Sequence, residues 1–133
     1  MNKIDVESVK PNAFPQVVKI RSHTLYADVG PGSGGEDSAP GAHDYFDAAL
    51  AICKAHTAIV FARKNGIPLE RVESHIERDD ADERAGVYRL RSRVVFHGPL
   101  SEEQRATLYR IVGKCPVHKL MTTADVQIES VMP

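Results

Sequence analysis

The chain has 133 residues, 17 Lys and Arg against 18 Asp and Glu, a formal net charge of −1 and 42% hydrophobic residues. This size fits one domain spanning 1–133 with a core of its own, and the balanced charge argues against nucleic acid as a partner, since such binders are usually basic. No run of about 18 uncharged apolar residues occurs, and Met1 to Lys10 has no apolar signal region, so the expectation is a cytoplasmic protein with no membrane span.

Ile4, Val6 and Val9 open the chain with a short alternation that predicts an edge strand. Gln16 to Ser22 and His23 to Ala27 are rich in β-formers and predict two more strands. Val29 to Gly41 then carries Pro31, Gly32, Gly34, Gly35, Pro40 and Gly41, a composition that forbids a helix or a regular strand.

From about Ala42 to Asn65 the pattern is helical, and Ala48 to Ile52 is apolar on every face. Asp44 and Asp47 near its start and Arg63 and Lys64 near its end suit the helix dipole. Gly66 and Pro68 stop it.

Leu69 to Glu77 alternates as a strand, Glu77 to Arg84 reads as a charged turn, and Val87 to His97 predicts a second long strand. In that strand Leu90, Val94 and Phe96 face a core, and Arg89, Arg91 and Arg93 face away. Ser101 and Gln104 form a capping box for a helix to about Val112, ended by Gly113. Cys115 and Pro116 look like the cap and first residue of another short helix. Ala124 to Val131 alternates again and predicts a closing strand. The order β-β-β-α-β-β-α-α-β predicts an α+β fold, with an antiparallel sheet packed on the long central helix. One small sheet cannot cover a helix so apolar all round, which predicts an obligate homodimer.

The sequence holds two cysteines, each followed three residues later by histidine: Cys53-Lys54-Ala55-His56 and Cys115-Pro116-Val117-His118. A cysteine pair in a reducing compartment is more often catalytic, redox-active or metal-binding than structural. Cys53, inside an apolar run, has the surroundings of an inert core thiol. Reactivity there requires a nearby positive charge, and Arg21 and Lys54 are the candidates. Cys115, at a helix start, faces unpaired N–H groups that favour thiolate, and His118 could add charge or act as a base. Two sulfurs and two imidazoles also match a tetrahedral zinc set. However, Cys53 and His56 fall in mid-helix and the two pairs are too far apart for a finger, so no metal is expected. Ser33-Gly34-Gly35 is too short for a phosphate loop and lacks its lysine, so no cofactor is expected.

The run from Gly34 to Cys53, with Pro40-Gly41-Ala42-His43-Asp44-Tyr45-Phe46-Asp47 inside it, resembles the OsmC/Ohr family. So do Ala62 to Glu70 at the helix end and Lys114-Cys115-Pro116-Val117-His118. The resemblance implies an intertwined homodimer with central helices at its middle and strands shared across it. It implies a thiol-dependent peroxidase acting on organic hydroperoxides: Cys53 attacks as thiolate and becomes sulfenic acid, Cys115 resolves it to a disulfide, and an external dithiol reduces that bond. Members of the family often carry Glu ten residues before the first cysteine, paired with an N-terminal arginine. Here that position is His43, followed by Asp44, as in an OsmC-like subgroup. Arg21 is the arginine this reading selects, held by Asp44 unless His43 acts itself. A non-enzymatic dimer of the same fold, binding a small apolar ligand, is the alternative.

Overall fold

The structure, a computed structural model, describes residues 2–133. Its contacts fall into two compact units, one running to Phe46 and one from Asp47 onward.

The first unit is built on a three-stranded antiparallel meander: β1 (Ile4–Ser8), β2 (Gln16–Ile20) and β3 (His23–Ala27). In register, Val6 faces Val18 and Val18 faces Leu25. The two strands predicted back to back are separated by a two-residue turn, Arg21-Ser22. Arg21 takes φ 53° there, a conformation costly for a side chain with a Cβ.

The Gly/Pro-rich segment is organised by Asp28, which is 3% exposed. Its carboxylate accepts the backbone N–H of Val29 (2.8 Å), Glu36 (3.2 Å) and Ser38 (3.0 Å), and the Ser38 hydroxyl at 2.6 Å. The Ser38 hydroxyl is the largest of the influences that lower this carboxyl to about 2. Gly35 is required here, since a Cβ would lie 2.2 Å from the Val29 carbonyl oxygen and 2.8 Å from Asp28 Oδ1. A single 3-10 turn, Pro31–Ser33, is the only helical piece of this segment.

The long helix α1 (Ala42–Lys64) starts in the first unit and supplies the spine of the second. Gly66 at φ 63° ends it, and the Ile67 N–H returns to the Ala62 carbonyl at 2.9 Å, the left-handed stop that glycine permits. By length and composition alone α1 could cross a bilayer, with a mean hydropathy of 1.3 over its best window. Yet Asp47 and Lys54 within it are buried and hydrogen-bonded to protein groups, as in a core helix.

The second unit adds a two-stranded antiparallel sheet, β4 (Arg71–Asp79) and β5 (Arg89–His97), then α2 (Glu102–Val112) and α3 (Pro116–Thr122). A 3-10 turn, Glu83–Ala85, lies in the charged connection. The capping box is present in full: Ser101 Oγ accepts from the Gln104 N–H, and Gln104 Oε1 accepts from the Ser101 N–H, both at 3.0 Å. The core is Ala58 and Ala62 of α1, Val94 and Phe96 of β5, and Leu108 and Val112 of α2. Alanines on α1 let the sheet and α2 approach closely, and Phe96 meets Tyr109 edge-on at 4.8 Å.

The expected α+β architecture is observed, with its antiparallel strands divided between two small sheets. One sequence expectation is corrected. Ala124 to Val131 is not a strand: it pairs with nothing among the described residues, and Ile128 is 86% exposed. Alternation makes a segment able to join a sheet, but a strand exists only where an edge is available to accept its N–H and C=O groups.

Candidate functional site

Both cysteines belong to the second unit and both are free thiols. Cys53, in the middle of α1, is partly exposed, whereas Cys115, just before α3, is fully buried. Cys53 is close enough to Cys115 to disfavour its ionisation, a proximity that residues 62 positions apart acquire only through folding: here α3 lays its first turn across α1.

The amides at the start of α3 are divided between the sulfurs. Val117 N–H donates to Cys53 Sγ at 3.5 Å. Cys115 holds the cap position without a side-chain cap bond, although the His118 amide still favours its ionised form. Burial dominates and pushes the Cys115 thiol up; the His118 amide and the Lys54 charge oppose this, and the neighbouring Cys53 adds to it. The expectation that the short helix mainly activates Cys115 is therefore reversed. Cys53 is the accessible sulfur with a backbone donor, and Cys115 is the shielded one.

Lys54 was expected beside Cys53. The structure turns it inward instead, where it is 4% exposed. Its Nζ donates to the Val112 carbonyl at 3.0 Å and lies 3.3 Å from His118 Nδ1. Lys54 therefore bridges a carbonyl of α2 and the imidazole of α3.

Cys53 opens onto an apolar groove of about 790 Å³ along α1, lined among others by Ile52, Val60, Phe61, Ile111, Pro116 and Val117. Ile52 and Val60 are 54% and 52% exposed. His56, Thr57 and Lys64 are its polar members beside Cys53. The histidines of the two cysteine motifs therefore divide: His118 faces inward to Lys54, and His56 faces the groove. Among the described residues, no group of three or more His, Cys, Asp or Glu side chains is placed to hold a metal.

The remaining sequence candidates lie in the first unit. Arg21 is exposed at the β2–β3 turn, and His43 and Asp44 occupy the first turn of α1. Asp44 Oδ2 accepts the Gly41 N–H at 2.8 Å, so it closes the helix start.

Asp47, read from sequence as a favourable charge near the helix start, has a more specific place. Its carboxylate takes Arg78 Nε at 2.6 Å and the Tyr88 hydroxyl at 2.7 Å. Burial, then the bond to Asp47, raises the Tyr88 phenol to about 12. This triad ties α1 to both ends of the charged β4–β5 connection. His75 and His97, scattered in sequence, converge on Glu73 at 3.4 and 2.5 Å. The His97 bond leads the influences that lower the Glu73 carboxyl. Adjacent antiparallel strands bring these residues together, a proximity their spacing along the chain hides. An acid that precedes a Gly/Pro-rich stretch was the one available signal for Asp28; Lys54 and Val117 had none beyond standing next to the motif residues.

The family model for the OsmC-like protein matches residues 35–131. No curated protein matches the sequence. Solved structures are similar along most of the chain. A protein of Psychrobacter arcticus 273-4, named for osmotic stress induction and detoxification response, has a TM-score of 0.76 at 17% identity, covering 92% of this chain and 90% of its own. The organic hydroperoxide resistance protein OsmC of Legionella pneumophila has 0.65 at 18%, covering 92% and 90%. The organic hydroperoxide resistance protein OhrB of Bacillus subtilis has 0.61 at 18%, covering 92% and 91%. At such identities the likeness is one of fold.

Proposed function

The chain belongs to the OsmC-like family, and from that premise we propose that it is a thiol peroxidase that reduces organic hydroperoxides. The observation that carries this reading is the division of labour between two neighbouring thiols, one partly exposed on an apolar groove and one buried behind it.

Cys53, as thiolate, attacks the terminal peroxide oxygen of ROOH. The O–O bond breaks, the alkoxide takes a proton and leaves as ROH, and Cys53 becomes a sulfenic acid. The Cys115 sulfur then attacks the Cys53 sulfur, the S–O bond breaks, and hydroxide departs with the Cys115 proton as water. An external dithiol exchanges with the disulfide and returns both thiols. Ile52, Val60 and Ile111 favour an apolar R group over hydrogen peroxide, because each apolar contact removes surface from water. Arg21 is assigned the charge that supports the attacking thiolate, with Asp44 or His43 holding it.

The working form we propose is a cytoplasmic homodimer. Ile52 and Val60 stand half exposed on the middle of α1. The chain's two sheets are small, and the apolar side chains of 124–131 have no strand partner among the described residues. A second copy that shares strands and packs its helix on this face satisfies all three. The groove also favours a second reading, a dimer that binds a small apolar ligand without turnover, for which neither sulfur is needed.

The test is thiol titration before and after one equivalent of cumene hydroperoxide, with mass spectrometry to locate any bond. A Cys53–Cys115 link within one chain, reversed by a dithiol, is expected. Two thiols still free after excess peroxide would rule the peroxidase out in favour of the binder.

A further inference from the structure

Lys54 is the one lysine of the described chain that is buried, and the reaction proposed above gives it no task. Its two hydrogen-bond partners are a carbonyl oxygen and an imidazole nitrogen, neither of them negative. A charge withdrawn from water without a counter-ion costs free energy, and α1 has exposed positions two residues away on either side, at Ile52 and His56. The partners also have a pattern. Val112 precedes Cys115 by three residues and His118 follows it by three, so one Nζ binds both flanks of the segment that presents the buried thiol.

We propose that Lys54 is the positioning residue of the resolving step: its ammonium pins α2 and α3 around Cys115 and supplies the positive charge beside that sulfur as it attacks the sulfenic acid on Cys53. This rests on the peroxidase reading. The site then contains a negative partner for Lys54 only transiently, when Cys115 gives up its proton. The hydroxide that leaves Cys53 takes that proton, so Lys54 ends the step as it began, an ammonium. Its influence on the Cys115 thiol already runs in the required direction, against burial. The arrangement separates the two cysteines' needs. Cys53 takes a neutral backbone donor and stays open to peroxide, and the charge is reserved for the thiol that burial would otherwise hold protonated.

A single-turnover experiment tests this. Wild type, Lys54→Gln and Lys54→Arg are mixed with one equivalent of cumene hydroperoxide, and sulfenic acid and disulfide are followed by dimedone trapping and mass spectrometry. Gln keeps a donor for the Val112 carbonyl without charge; Arg keeps the charge. Because nucleophilicity falls as a thiol's pKa falls, each unit of pKa is worth only about three- to fourfold in rate. Lys54→Gln should therefore slow disulfide closure roughly three- to tenfold at pH 7, so that trapped sulfenic acid on Cys53 accumulates, and Lys54→Arg should retain most of the closure rate. The titratable groups that act on Cys115 are Cys53 and Lys54 from α1; α3 contributes the His118 amide, with the His118 ring turned to Lys54, and the α2 carbonyl of Val112 also binds Lys54. Raising the pH should bring Lys54→Gln back towards wild type, since hydroxide then ionises Cys115 without help; a merely misplaced thiol would not recover. Equal closure rates in Lys54→Gln and wild type, or a defect that high pH leaves untouched, would overturn the proposal. Wild-type Cys53 that never forms sulfenic acid would overturn the peroxidase itself, and the two failures are told apart by that first step.

Discussion

Val117 donates its backbone N–H to Cys53 Sγ at 3.5 Å, although Cys115, not Cys53, is the residue that begins α3. Val117 lies in the first turn of α3, where amides have no intrahelical acceptor, so its N–H is free to point at the facing helix. It makes Cys53 the sulfur with both a donor and an open side.

Differential alkylation should report this directly. In the native protein Cys53 is expected to react with iodoacetamide at least roughly tenfold faster than the fully buried Cys115. Peptide mapping after partial labelling distinguishes them. Equal labelling, or labelling of Cys115 first, would contradict the assigned roles.

Asp47 joins α1 to Arg78 and Tyr88 through two charge-assisted bonds. Asp47→Ala removes the carboxylate from the Arg78 guanidinium, 28% exposed, and from the half-buried Tyr88 phenol, and should destabilise by about 2 to 4 kcal/mol. Tyr88→Phe should cost about 1 to 2 kcal/mol. Urea titration measures both. In spectrophotometric titration one phenol should ionise near pH 12 and disappear in Tyr88→Phe. The sign is that of a raised acid: the stabilising effect is complete below the ordinary value of 10.0 and is lost as pH climbs towards 12.

Asp28 gives an acid-side prediction of opposite sense. Its carboxyl is lowered from 3.8 to about 2, so its contribution to stability is present above pH 3.8 and is lost as pH falls towards 2. Asp28→Asn should lower the melting temperature at pH 6 and flatten the acid limb between pH 4 and 2. An unchanged acid limb would show that Asp28 does not hold the loop. Gly35→Ala should disrupt the same loop, because its Cβ would overlap the Val29 carbonyl.

Ser74 is the exception to a well-satisfied interior: its hydroxyl is buried and has no hydrogen-bond partner among the described residues. Ser74→Ala removes an unpaid desolvation cost and should be neutral or stabilising by up to about 1 kcal/mol. A loss of more than 1 kcal/mol in chemical denaturation would mean that the hydroxyl has a role.

Legibility from sequence tracks the range of the interaction. The central helix, its glycine stop and the Ser101–Gln104 capping box were readable to within a residue or two, because caps and periodicity act over a few positions. The β2–β3 turn was missed because Arg21 carries no turn signature; the hairpin imposes its positive φ. The 124–131 strand was overcalled because alternation records the ability to pair and says nothing of a partner.

By itself, the sequence determined the helices and most strands, the two cysteine motifs and the excess of apolar surface on α1, all of which depend on neighbours within a turn or on composition. Only the tertiary structure decided which sulfur is exposed, that Val117 serves Cys53, and that Lys54 turns from its neighbour to the segment around Cys115. Those outcomes depend on α2 and α3 meeting α1 across about sixty residues of chain, and over such a span packing rather than local preference sets where a side chain points.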